Sequence, residues 1–265
     1  LYDYGCRKYQ LSLDGIEGNP RQLPQARLLR HLPWKNQLHP QAGMYCAIMS
    51  TVSKTNMDEI PGLIDVVVEK QADVFAVGRY CPTSEEKSAE FHMEPLEYRA
   101  YLEKCWEKFE QYKGCGTTFQ LKDHLWTLFL YEKGIFKIPE NLKPDTIYDG
   151  CHCGICHMTI LPTGDVYACR RMESRIGNAL TDSMADLFLG EKMDQYRQYD
   201  SFEKCAGCEL LRFCRGCPAV TFAIREICTR PTRSAGKQLH PQMPEAAQEA
   251  SPGIFGKDKK ERSSR

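Results

Sequence analysis

Short runs of apolar residues alternate along the first half of the chain with longer amphipathic segments. Tyr9 to Leu13 (Tyr-Gln-Leu-Ser-Leu) predicts a buried strand that stops at the turn signal Asp14-Gly15. Met44 to Val52 predicts a second strand. Asn56-Met57-Asp58-Glu59 predicts the start of a helix whose Ile60, Leu63, Ile64, Val67 and Val68 form one buried face. Asp73 to Gly78 predicts a third strand. Strand, helix and strand at this spacing make a βαβ unit, and hence an α/β fold with a parallel sheet whose ligands sit at the C-terminal strand ends. Tyr98, Leu102, Cys105, Phe109 and Tyr112 recur at three and four residues, predicting a helix between Pro95 and Lys113, and Leu121 to Gly134 predicts another. Within the latter, Trp126 and His124 read as a core tryptophan beside a satisfied histidine rather than as ligand contacts. Four prolines between residues 16 and 42 (Pro20, Pro24, Pro33 and Pro40) interrupt any long period and predict a broken helix or loop.

Beyond residue 150 the pattern changes from periodic apolar residues to cysteines. Nine of the fourteen lie between 151 and 228: Cys151, Cys153, Cys156, Cys169, Cys205, Cys208, Cys214, Cys217 and Cys228. After Cys228, Arg230 to Arg265 is rich in Pro, Ser, Gly, Lys and Arg and poor in large apolar residues, which predicts a disordered tail. The domain expectation is therefore 1–148 for the sheet and its helices, 149–229 for a cysteine-rich unit, and 230–265 for the tail.

Composition narrows the setting. The 265 residues are 42% hydrophobic, and 35 Lys plus Arg balance 35 Asp plus Glu, which points to neither nucleic acid nor a membrane surface as a partner. No run approaches the roughly 20 apolar residues of a membrane span, and no signal peptide opens the chain, so a cytoplasmic location is expected. In a reducing compartment closely spaced thiols hold metals more often than disulfides. Two C-x2-C pairs, Cys205/Cys208 and Cys214/Cys217, would suffice for one zinc ion. Nine thiols exceed that need and match two four-thiolate iron–sulfur sites. On spacing alone, both zinc and iron–sulfur remain open.

The arrangement Gly164-x4-Cys169, then Cys205-x2-Cys208-x5-Cys214, Cys217 and Cys228, with Ile176-Gly177-Asn178-Ala179-Leu180 and Ser183-Met184-Ala185-Asp186-Leu187-Phe188 between the groups, resembles the SPASM domain. That domain is the C-terminal module of many radical S-adenosylmethionine (SAM) enzymes. One departure is the two residues, rather than three, between Cys214 and Cys217. The resemblance implies two auxiliary [4Fe–4S] clusters. One takes two of Cys151, Cys153 and Cys156 with Cys169 and Cys217; the other takes Cys205, Cys208, Cys214 and Cys228.

Gln10-Leu11-Ser12-Leu13-Asp14-Gly15 resembles the mid-barrel strand of radical SAM enzymes, which implies Ser12 and Asp14 near the bound nucleotide, and Gly78-Arg79 lies where a later strand often places a SAM-contacting arginine. The expected fold is thus a partial (β/α) barrel followed by a SPASM domain. The His-Asp and arginine that usually follow Ser-Leu-Asp-Gly have no counterpart between Ile16 and Pro40. The C-x3-C-x2-C motif of the catalytic cluster is also missing, since Cys6 is the only cysteine before Cys46. The chain opens on Leu1 close to a strand, and it reads as a fragment that holds the auxiliary clusters and part of a SAM pocket without generating a radical alone.

For a protein with the missing motif, the resemblance implies reductive cleavage of SAM to a 5'-deoxyadenosyl radical, an oxidoreductase reaction on a peptide or protein substrate, and a reductase or flavodoxin-type electron donor. Arg170 stands where sulfatase-maturing members carry an acidic residue, so thioether-type crosslinking of a ribosomally made peptide fits better. The rival reading is a non-catalytic iron–sulfur or zinc module that binds a peptide or relays electrons. Cys46, Cys81, Cys105 and Cys115 are solitary and read as core fillers. Cys81, after Arg79-Tyr80 at a strand end, is the one with a place near the site.

Overall fold

The computed structural model describes residues 4–16, 44–82, 90–202 and 204–225. Cys228, the tail and nearly all of the proline-interrupted stretch lie outside the described residues.

Four parallel strands form the first sheet in the order β1 (Lys8–Ser12), β2 (Tyr45–Val52), β3 (Val74–Arg79) and β4 (Thr118–Gln120). In β2 the alternation is clear: Cys46, Ile48, Ser50 and Val52 are buried while Tyr45 and Thr51 are exposed. The buried face packs against α1 (Ile60–Glu69), whose Ile60, Leu63, Ile64 and Val67 are fully enclosed. On the same face of the sheet lie α2 (Pro95–Gln111), whose Phe109 stacks on Phe119 of β4, and α3 (Leu125–Glu132). Their Phe109, Trp126 and Phe129 form an aromatic layer, with the Trp126 ring centroid 5.6 Å from Phe109 and 5.3 Å from Phe129. Trp126 is thus a core residue, as its helical spacing predicts. Cys46 and Cys105 are buried fillers, whereas Cys115 is exposed in the turn after α2.

Two predicted boundaries move. Helix α1 begins at Ile60 and not at Asn56, because the Asn56 amide is used elsewhere. Its Oδ1 accepts from Ser53 N at 2.7 Å, and its Nδ2 donates to Asp14 O and Thr51 O. This side-chain bonding competes with a helical start and fastens the end of β1 to the end of β2. Likewise α3 begins at Leu125, because Thr118–Gln120 pairs with Val74 to Ala76 as β4, a strand too short for its pattern to announce.

The cysteine-rich part is built on a three-stranded antiparallel sheet, β5 (Thr159–Ile160), β6 (Asp165–Tyr167) and β7 (Arg175–Asn178). The β5–β6 turn is closed by Leu161 N to Asp165 O at 2.8 Å and by Gly164 N to Leu161 O at 2.9 Å. Gly164 has φ +85°, and a Cβ there would meet Asn178 Oδ1 at 2.7 Å, so the residue before x4-Cys169 must be glycine. Short helices α4 (Met184–Leu189) and α5 (Glu191–Asp194) follow, then two 3₁₀ turns and α6 (Pro218–Arg225). Ser183 caps α4 by accepting from Asp186 N. Among the described residues no helix is long and apolar enough to cross a membrane.

Candidate metal centre

The cysteines of the second unit gather in two places. Cys205, Cys208 and Cys214 line one pocket, walled by Leu128, Leu210 and Leu211. Consecutive turns bring them there: Cys208 N bonds Cys205 O at 2.9 Å, Leu211 N bonds Cys208 O at 2.9 Å and Cys214 N bonds Leu210 O at 2.9 Å. Burial pushes the Cys214 thiol up to about 12. The Gly216 N–H, 3.4 Å from its Sγ, works against that rise, while Asp123, Cys205 and Cys208 add to it.

The other gathering is an apolar cluster around Val166, Ala168 and Ile176 that contains Cys153 and is bordered by Cys151, Cys169 and Cys217. Burial raises Cys151 to about 12, with Cys217 and Cys169 reinforcing it; burial also raises Cys169, with Cys217 adding. Cys169 is fixed by its backbone, since Cys169 N donates to Ser174 Oγ at 3.0 Å and Ser174 Oγ donates to Cys169 O at 2.8 Å. Cys217 sits immediately before α6, and its carbonyl accepts from Val220 N and Thr221 N. Cys156 is exposed. No disulfide joins any two described cysteines.

Arg215 lies between the two groups and is 3% exposed. Its Nη2 donates to Cys151 O at 2.5 Å, its guanidinium lies 5.4 Å from the Tyr199 ring centroid, and its own loop borders the Cys205/Cys208/Cys214 pocket. Arg215 and Gly216 are both left-handed, at φ +61° and +62°. Two successive residues in that region make the tight turn that accommodates a two-residue link between Cys214 and Cys217.

Among the described residues no three His, Cys, Asp or Glu side chains converge closely enough to hold a metal ion as they stand. The donor sets nonetheless fit iron–sulfur chemistry, with soft sulfur donors grouped in fours and threes against apolar walls.

The barrel residues divide between the two faces of the sheet. Ser12, opposite Met49 in the parallel register, is exposed on the open face, whereas Arg79, opposite Val52, points to the helical face. Half-buried Asp14 accepts from Thr51 N at 2.7 Å, and burial raises its carboxyl against that bond. The sheet therefore brings Ser12 and Asp14 together but separates Arg79 from them. Arg79 Nε is 3.0 Å from Asp123 Oδ2, with both side chains nearly inaccessible, and its guanidinium lies 5.0 Å from the Tyr98 ring centroid. Its buried Nε and Nη2 both lack a hydrogen-bond partner among the described residues, so the contact with Asp123 is an ion pair without a well-aligned hydrogen bond. Asp123 escaped sequence reading because β4 did; its position just past a strand end is the signal that would have found it. Burial alone would raise the Asp123 carboxyl, but the Arg79 charge and the Leu125 N–H outweigh it and hold it below the usual range. His124, which opens α3, is lowered by burial and by Arg215, against the pull of Asp123.

Residues 151–218 match the family model described as the SPASM iron–sulfur cluster-binding domain. This part of the chain is a SPASM domain. Two curated relatives are AdoMet-dependent heme synthases. The one from Nitratidesulfovibrio vulgaris is 30% identical over 92 residues, covering 33% of this chain and 24% of that protein. The one from Oleidesulfovibrio alaskensis is 31% identical over 97 residues, covering 35% and 24%.

Among solved structures, Streptococcus suis SuiB bound to S-adenosylmethionine superposes with a TM-score of 0.61 at 20% identity, covering 87% of this chain and 54% of SuiB. Native anSMEcpe with bound AdoMet gives 0.61 at 15% identity, covering 86% and 63%. The chain thus spans a little over half of SuiB, and its matched segment about a quarter of each heme synthase. These likenesses establish the radical SAM type of α/β fold with its parallel sheet followed by a SPASM domain, as the sequence predicts.

Proposed function

We propose that this chain is part of a radical SAM/SPASM protein of the peptide or protein maturase type, and that it binds two auxiliary [4Fe–4S] clusters. The observation that supports this most directly is the gathering of the SPASM thiols into two separate groups, Cys205/Cys208/Cys214 in one pocket and Cys151/Cys169/Cys217 around an apolar cluster. Cys228 is the proposed fourth ligand of the former. When bound, SAM with its own cluster supplies hydrogen-atom abstraction, and the auxiliary clusters supply electron acceptance or a place for a substrate thiolate. The chain's residues do the positioning. Ser12 and Asp14, at the open face, would hold SAM, Arg79 supports the strand ends from the other face, and the apolar walls would keep water from the thiolates.

Substrate class is read from the neighbours. SuiB has been solved bound to its precursor peptide SuiA, and anSMEcpe with Cp18Cys and Kp18Cys peptides. A peptide substrate is our first reading, with thioether-type crosslinking as the reaction and a flavodoxin-type donor supplying electrons. A tetrapyrrole substrate is the second, favoured by the higher identity to the heme synthases. Metal analysis after anaerobic purification and reconstitution tests the cofactor part. About eight irons and eight sulfides per chain, as two four-iron clusters require, support it, while zinc without sulfide leaves a zinc-stabilised binding module. Titrating the reconstituted protein with a cysteine-containing peptide and with a porphyrin, following the cluster spectrum, separates the two substrate readings.

A further inference from the structure

Cys81 lies seventy residues before the matched domain, just beyond the end of β3, yet its side chain is inside the SPASM part. It is a buried member of the apolar cluster that Cys151, Cys169 and Cys217 border. Two bonds hold it there. Cys81 Sγ donates to Arg171 O at 3.5 Å, and Arg171 Nη2 returns a hydrogen bond to Arg79 O. The loop after Cys169 is thereby stitched to the loop of Cys81 in both directions, and the strand end that carries Cys81 is anchored below by the Arg79–Asp123 pair.

A cysteine acting only as filler needs apolar neighbours; this one lies in the cluster against which three expected ligands, Cys151, Cys169 and Cys217, are packed. Cys156, by contrast, is exposed.

We propose that Cys81 is a ligand of the first auxiliary cluster, delivered from the end of the parallel sheet to join Cys151, Cys169 and Cys217. The cluster then ties the barrel part to the SPASM domain covalently, through iron. Cys153, buried in the same apolar cluster, is the rival for that fourth position. This inference rests on the two-cluster reading above, and the experiment is chosen to separate their failures.

In the full chain, Cys205→Ala with Cys208→Ala silences the second site, so that only the first cluster is read by iron content and electron paramagnetic resonance. The reconstituted parent is expected to hold about four irons. Adding Cys81→Ala, which keeps a small apolar filler, is expected to remove at least one iron per chain and to replace the four-iron signal by a three-iron one. Cys81→Ser, which retains a hard oxygen donor, is expected to keep about four irons with shifted g-values. Cys153→Ala is expected to leave both iron and g-values unchanged. If Cys81→Ala and Cys81→Ser both keep the parent's iron and g-values, Cys81 is only a filler and the assignment is overturned. A parent that binds no iron sinks the cluster reading itself.

Discussion

The two thiol sites of the SPASM domain are built in opposite ways. Cys205, Cys208 and Cys214 come from ten consecutive residues and are brought to one pocket by turns closed within that segment. Cys151, Cys169 and Cys217 come from three separate segments. The stretch before β5, the β6–β7 connection and the residue before α6 bring them to the border of one apolar cluster. The first arrangement needs only local turns, whereas the second needs long-range order. A local site tolerates damage elsewhere in the fold, and a composite site reports on it.

The largest effect that sharpens this contrast comes from the buried pair beneath the composite site. Asp123→Asn leaves the Arg79 charge uncompensated, and breaking such a pair costs about 3–5 kcal/mol, measured by urea unfolding of the metal-free chain. The Asp123 carboxyl is held below its ordinary value, so its contribution is fully present above the unfolded value of roughly 4 and is lost as pH falls through the folded one. Wild type should therefore lose stability below about pH 4 more steeply than Asp123→Asn. Equal acid sensitivity of the two would show that the pair contributes little.

Gly150→Ala comes next, because it strikes the seam between the sites. Gly150 has φ +94°, and a Cβ there is driven into the backbone carbonyl of Cys214. The left-handed conformation alone costs an alanine about 1–2 kcal/mol, and the clash adds to it. Both sites should lose iron, read by metal content after reconstitution.

Gly164→Ala is a milder and more selective break. Its left-handed turn, φ +85°, costs an alanine about 1–2 kcal/mol and loosens the hairpin that presents Cys169. Iron should fall at the composite site and persist at the local one. Cys156→Ala should change nothing, with stability within about 0.5 kcal/mol and unaltered iron, since the side chain is exposed. A loss of iron in that variant would place Cys156 among the ligands and Cys81 outside them.

The same contrast explains what could be read from the sequence. The local site was legible in the spacing Cys205-x2-Cys208-x5-Cys214, because turns over so few residues follow directly from the sequence. The βαβ unit was legible too, since the buried positions of β2 and α1 repeat at two and at three to four residues. Strand β4 was not, because three residues carry no period. The missing β4 concealed Asp123, and with it the burial of Arg79 on the face away from Ser12. Which cysteines share the composite site was equally hidden. Spacing left Cys151, Cys153 and Cys156 equivalent, and only packing puts Cys81 and Cys153 together in the apolar cluster that Cys151 borders.

The most direct test of two independent clusters is iron content and Mössbauer spectra of anaerobically reconstituted protein in two double variants. One is Cys205→Ala with Cys208→Ala, and the other is Cys169→Ala with Cys217→Ala. Each is expected to lose about half of roughly eight irons while the four-iron spectrum of the remaining cluster persists. Loss of all iron in either variant, or zinc in place of iron in the parent, would contradict it.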